Sequence, residues 1–237
     1  MNKSRVFQGS YTDAHCHILP GIDDGPKTVE DSEKLAQKLI SMGFARIIAT
    51  PHYYFYKETA DSFIRRRTEA FKSVNFPKGL SVLPSAEVAL ESGLTRACDL
   101  KKLAIPGTNK ILIELPMKKY NQKISEELYS IKMYHGLYPV LAHIERYDRF
   151  FDDDGYNDIL SAEGIVFQIS AFSLASFRQR RLFMKLYKSG ANIVLGTDAH
   201  RIDFRVQDSA KGIKKLSKMI DSNEFERIMN CDILGLA

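Results

Sequence analysis

Two short motifs carry side chains able to hold a metal ion. Asp13-x-His15-x-His17 sets three polar residues at alternate positions. Alternate side chains of a strand share one face, so both imidazoles can meet the same ion. Cys16 then points the other way, which argues against a thiolate ligand, and Asp13 is placed to accept a hydrogen bond from a ligand imidazole. Asp198-x-His200, in GTDAH, repeats the spacing, and Gly196 lets the backbone pass closely beneath it. Other donors stand singly: His52 behind Pro51, Glu87 in SVLPSAEVAL, Glu114 in ILIELP and His143 in LAHIERY. Taken alone, such a carboxylate reads as an edge residue facing water, and such a histidine as a core residue bonded to backbone. A charge at the end of a buried strand is costly, however, unless paired or metal-bound. Imidazole and carboxylate without thiolate suit Mn²⁺, Fe²⁺ or Zn²⁺, and the carboxylate share favours Mn²⁺. The remaining histidine, His135, ends a helical pattern before Gly136 and receives no catalytic role.

What must position these groups is a repeated strand–helix alternation. Seven β-type runs are expected, over 11–18, 46–52, 81–89, 110–115, 138–144, 165–170 and 192–198. Helical patterns separate them, over 29–42, 125–135 and 204–220 for example. Alternation of this kind argues for parallel strands with helical crossovers. Nearly every run ends in a potential ligand, and in an α/β barrel all strand C-termini meet at one rim. The sixth run breaks the pattern, ending near Gln168 and Ser170. The C-terminal stretch 221–237 has helix-like spacing at Phe225, Ile228 and Met229, suited to closing the barrel or meeting a partner.

Composition narrows the class. The 237 residues are 44% hydrophobic and 27% charged, which fits one soluble globular domain over 1–237. No apolar run reaches the roughly 18 residues of a membrane span, and the polar start lacks a secretory h-region. Three cysteines without CxxC point to a reducing cytoplasm rather than a disulfide framework. The net charge of +5 fits an anionic substrate, yet no dense basic stripe suggests nucleic acid. Arg65–Arg67 reads as a solvated helix face. A cysteine phosphatase loop needs Cys-x5-Arg, but six positions beyond the cysteines stand Ile22, Ala104 and Ala237.

DAHCHILPGIDDGPKT, ATPH, Glu87, Glu114, LAHIERY and GTDAHR together resemble the polymerase-and-histidinol-phosphatase (PHP) superfamily. Within it, HCHILPGIDDGPKT is similar to the bacterial manganese-dependent tyrosine-protein phosphatases of capsule and exopolysaccharide operons. The resemblance runs from Tyr11 to Arg205 and implies a distorted seven-stranded (β/α)7 TIM-like barrel with three metal ions at its C-terminal rim. It assigns His15, His17, Glu87 and Asp198 to one ion, Glu87, Glu114 and His143 to a second, and Asp24, His52 and His200 to a third. Asp24 enters only through the resemblance, since spacing alone reads it as a loop acid. Arg146 and Arg205 match the family's phosphate-clamping arginines, their ordinary reading being surface salt bridges, and Arg201 is a weaker candidate.

Charge supports the ion count. Two divalent ions only neutralise Asp24, Glu87, Glu114 and Asp198, whereas three leave a centre that attracts a phosphate dianion. The expected reaction is hydrolysis of a phosphomonoester by a metal-activated hydroxide. The expected substrate is a tyrosine-phosphorylated protein, such as a bacterial tyrosine kinase controlling polysaccharide export. Histidinol phosphate is the alternative substrate, and homo-oligomer formation stays open. After His52 the chain carries Tyr53-Tyr54-Phe55-Tyr56 where relatives have basic or glycine-containing residues. That run suits either stacking on a phosphotyrosine ring or packing on the barrel itself.

Overall fold

A computed structural model describes residues 10–236. Among these residues the strands are β1 (Tyr11–Cys16), β2 (Phe44–Ala49), β3 (His52–Tyr53), β4 (Ser81–Pro84), β5 (Glu87–Ala89), β6 (Lys110–Glu114), β7 (Tyr138–Leu141), β8 (Val166–Ser170) and β9 (Asn192–Gly196). One sheet has the order β1-β2-β4 and the other β3-β5-β6-β7-β8-β9, with every pairing parallel. The seven expected strands are therefore nine in two sheets, because the second and third runs each break in two. The breaks fall at Pro51 and Pro84, and proline has no N–H to give a ladder. Backbone bonds span the gaps: the Ser85 N–H donates to Ala49 O at 2.7 Å and the Glu87 N–H to Pro51 O at 3.0 Å. The first strand also meets the segment just beyond the last, through a parallel bridge between Cys16 and Ala199.

Eight α-helices surround the strands among the described residues: α1 (Val29–Ser41), α2 (Ala60–Ser73), α3 (Leu94–Ala97), α4 (Gln122–His135), α5 (Asp153–Ser161), α6 (Phe177–Lys188), α7 (Phe204–Leu216) and α8 (Ser222–Met229). The α1 start is typical of the local logic. Thr28 Oγ1 accepts the Asp31 N–H at 3.2 Å, and Glu30 and Asp31 face the positive helix end. Leu35, Ala36 and Leu39 form its buried stripe. In α8, Phe225, Ile228 and Met229 are buried, and the Phe225 ring meets Tyr11 of β1 edge-on at 6.0 Å. The C-terminal segment thus packs where the first and last strands meet. No helix among the described residues is long and apolar enough to cross a membrane.

Side-chain alternation divides the apolar residues into two cores. On β6, Ile111 and Ile113 join the larger core with the helices, whereas Leu112 joins a smaller one with Ala14, Ile48, Val140, Val166 and Val194. Glu114 follows Leu112 by two and so faces the same side. Gln168 follows Val166, and Gly196 follows Val194, in the same way. β6, β8 and β9 thus each carry an apolar residue in the small core and a polar or glycine residue one step nearer the C-terminus.

The arginine run is not the uniform solvated face expected. Arg67 is buried and donates to Ser85 O at 2.7 Å, while Arg66 pairs with Glu58. Arg67 therefore helps to satisfy backbone at the β4–β5 break.

Candidate metal centre

The side chains of all nine expected donor residues converge, from strand ends, from the loops that follow, and, for His52 and Glu87, from the first residues of β3 and β5. His15 is the next-to-last residue of β1, and His17 follows the strand. Their Nε2 atoms are 3.0 Å apart, and each faces Glu87 Oε2, at 3.4 and 3.3 Å. Asp198 Oδ1 lies 3.6 and 3.5 Å from the same two nitrogens. Glu87, at the start of β5, is the hub. Its Oε2 also stands 2.8 Å from His52 Nδ1, and its Oε1 is 2.9 Å from His143 Nε2. Glu114, ending β6, lies 3.4 Å from that same His143 nitrogen. On the outer side, Asp24 Oδ1 is 3.2 Å from His200 Nε2 and 3.5 Å from His52 Nε2. His17 and His200 stack with ring centroids 3.9 Å apart.

Two of these residues hold unusual backbone conformations. His143 has φ 32° and Asp198 φ 51°. Left-handed geometry costs a non-glycine residue about 1–3 kcal/mol and is found where function fixes a side chain. His143 therefore does not end a strand, as expected, but caps the 3₁₀ turn Ile144–Arg149 two residues beyond β7. Asp198 and His200 likewise lie beyond β9, and Asp198 is held by its N–H donating to His15 O at 2.8 Å. Gly196 beneath them is obligatory: an added Cβ would come within 2.6 Å of His15 Cβ and 2.9 Å of its backbone nitrogen.

Both expected arginines reach the site. Arg146 Nη2 donates to Asp198 Oδ2, and Arg205 Nη1 lies 3.3 Å from the same oxygen. Arg201 points elsewhere, pairing with Asp203.

Three placements depart from expectation. Asp13 does not support an imidazole. It accepts the N–H groups of His15 (3.2 Å) and Thr197 (2.8 Å) together with the Thr197 hydroxyl, tying β1 to the end of β9. The imidazole supports are residues the sequence left aside. Asp23 Oδ2 is 2.7 Å from His17 Nδ1, and Gln168 Oε1 is 3.0 Å from His15 Nδ1. The tyrosine run divides: Tyr53 is buried with its hydroxyl donating to Glu58 O at 3.2 Å, whereas Tyr54 is half-buried and Tyr56 is exposed.

Crowding of acids and imidazoles sets the local electrostatics. Burial alone would raise the Glu87 carboxyl, but the imidazoles of His15, His143 and His17 hold it well below the usual carboxylate range. Burial opposes the charged form of His17, yet its hydrogen bond to Asp23 and the nearby Glu87 carboxylate push it up to about 10. His143 is pushed up to about 9 against its own burial by Glu114 and Glu87. Burial and the neighbouring His17 lower His200.

Divalent cations fit this arrangement. Three groups of donor atoms each lie within 4.8 Å of one another: His17, Asp24, His52 and His200; His15, His17 and Glu87; and His52, Glu87 and Glu114. Glu87 Oε2 is buried among three imidazole nitrogens yet makes no well-formed hydrogen bond, as expected of an atom shaped to meet cations. The donor set contains no cysteine, and Cys16, Cys98 and Cys231 are all buried and free.

Comparisons with known proteins span most of the chain. The family model for capsular polysaccharide synthesis proteins CpsB/CapC matches residues 11–232. The tyrosine-protein phosphatase YwqE of Bacillus subtilis (strain 168) is 30% identical over 225 residues, covering 89% of this chain and 85% of that protein. The tyrosine-protein phosphatase CpsB of Streptococcus pneumoniae is 30% identical over 215 residues, covering 81% and 84%. Among solved structures, one from work on YwqE of Bacillus subtilis and CpsB of Streptococcus pneumoniae, metal-dependent tyrosine phosphatases, aligns with a TM-score of 0.72 at 26% identity, over 94% of this chain and 93% of that one. From Tyr11 to Asp232, the chain belongs to the CpsB/CapC family of capsular polysaccharide synthesis proteins.

Proposed function

We propose that this protein is a metal-dependent phosphotyrosine-protein phosphatase that hydrolyses phosphomonoesters. The observation that carries the reading is the convergence on Glu87 of four imidazoles, with two arginines beside them on Asp198. The names of the family relatives point to the same activity. In this reading His15, His17, Glu87 and Asp198 hold one ion, Glu87, Glu114 and His143 a second, and Asp24, His52 and His200 a third. The carboxylate share favours manganese over iron or zinc.

Divalent metal supplies Lewis acidity toward the phosphoryl oxygens and a water whose pKa is lowered toward ~7. The chain's own residues do the rest. Asp198 anchors the guanidiniums of Arg146 and Arg205 beside the centre, and a guanidinium's planar fork of N–H donors suits phosphate oxygens. Gln168 and Asp23 orient His15 and His17 through Nδ1, so that both Nε2 atoms face the centre. A tyrosyl leaving group departs as a phenolate of pKa near ~10, so no strong general acid is required.

The same reading takes the chain as one domain whose two sheets roll into a seven-unit barrel. The backbone bonds across the Pro51 and Pro84 breaks, the Cys16–Ala199 bridge and the separate small core support it. The protein would act in the cytoplasm on a tyrosine-phosphorylated protein, a bacterial tyrosine kinase being the natural candidate. The test is turnover of a phosphotyrosine peptide and of histidinol phosphate by manganese-loaded protein. Preference for the peptide supports the assignment, and preference for histidinol phosphate would replace it with the small-molecule alternative.

A further inference from the structure

We propose that Tyr54, carrying Lys57 on its ring, is the wall that holds the aryl group of the substrate; this rests on the phosphomonoesterase reading above. The chain presents five residues in succession after His52, Tyr-Tyr-Phe-Tyr-Lys, and the fold sorts them. Tyr53 is drawn into the core, where its ring meets Phe63 at 5.1 Å. Phe55 packs partly against the same core. That leaves Tyr54 and Tyr56 on the outer side with ring centroids 5.9 Å apart. Lys57 Nζ sits 4.0 Å from the Tyr54 centroid and 5.7 Å from that of Tyr56, which fixes the cluster by cation–π contact.

The position of Tyr54 is what matters. Its ring lies 5.8 Å from that of His52, whose Nδ1 stands 2.8 Å from the hub carboxylate. A phosphoryl group gripped at the centre must send its ester substituent outward past the bordering loops. A phenyl ring leaving on the His52 side comes within the ~4.5–7 Å at which aromatic rings pair favourably. Phe172 already carries the Arg205 guanidinium 5.7 Å over its ring, so it supports the phosphate clamp instead. An alkyl ester offers no ring to this wall. Tyr54 is therefore a specificity residue that acts on the organic half of the substrate.

The test uses two non-hydrolysable probes, phenylphosphonate and methylphosphonate. Their dissociation constants are measured by calorimetry on manganese-loaded wild-type protein, Tyr54→Ala and Tyr54→Phe. Wild type is expected to prefer the phenyl probe. Tyr54→Ala should cut that preference about 3- to 10-fold through weaker phenyl binding, and Tyr54→Phe should keep it. A phenyl-to-methyl ratio in Tyr54→Ala equal to wild type would overturn the wall, as would equal weakening of both probes. A wild-type protein that binds neither probe would overturn the phosphomonoesterase reading itself. One that binds both without preference would remove the wall and leave that reading standing.

Discussion

Gln168 Oε1 lies 3.0 Å from His15 Nδ1 and also accepts the backbone N–H of His143 at 2.6 Å. One uncharged amide oxygen thus joins two elements far apart in sequence. If His15 donates its Nδ1 proton to Gln168, its Nε2 lone pair is left facing Glu87 and His17, the tautomer a metal requires. Gln168→Leu should therefore weaken metal affinity about 10- to 100-fold, although Gln168 need not touch the metal. Competition with a chromogenic chelator measures this, and wild-type affinity in the variant would show that the amide has no orienting role.

Arg146 and Arg205 share Asp198 Oδ2 as their anchor. Either alanine substitution should lower kcat/KM for a phosphotyrosine peptide by about 10²-fold, the scale of losing one aimed donor in a charged transition state. Metal content should stay near the wild-type value. Unchanged kinetics in both variants would remove the clamp from the account.

Gly196 leaves no room for a side chain, since a Cβ would stand 2.6 Å from that of His15 and 2.9 Å from Gln168 Nε2. Overpacking of this kind costs about 1–3 kcal/mol, and each kcal/mol lowers Tm by roughly 2–4 °C in a chain of this size. Gly196→Ala should show that drop in a thermal melt together with reduced metal uptake, because His15 must move. A melt and metal content equal to wild type would mean the strand end relaxes freely.

The donors legible in the sequence were those with both a distinctive type and a strand-end position. His15, His52, Glu87 and Glu114 stood out because a charged or imidazole group at the end of an apolar run needs a partner. Asp24 and Asp23 lie side by side in a loop where no periodicity acts, and the fold gives them different tasks: Asp24 faces His200, whereas Asp23 holds His17. Gln168 carries no charge, so its strand appeared to break the pattern when it in fact supplies the orienting amide. His143 and Asp198 were recognised by type but misplaced on strands, because left-handed backbone at a non-glycine residue leaves no mark in the sequence. Pro51 ends its run as its chemistry dictates, but the resumed pairing at His52–Tyr53 and the break after Pro84 leave no mark, because the neighbouring residues still read as strand.

Metal and phosphotyrosine turnover measured on the same samples test the central claim most directly, in wild-type protein and in Glu87→Ala. Manganese-loaded wild type should dephosphorylate a phosphotyrosine peptide, lose that activity with its metal on chelation, and regain both on adding manganese back. Glu87→Ala, lacking the carboxylate that four imidazoles face, should hold little metal and show no turnover. Full turnover by wild-type protein verified to be metal-free, or metal and activity both retained in Glu87→Ala, would contradict the account.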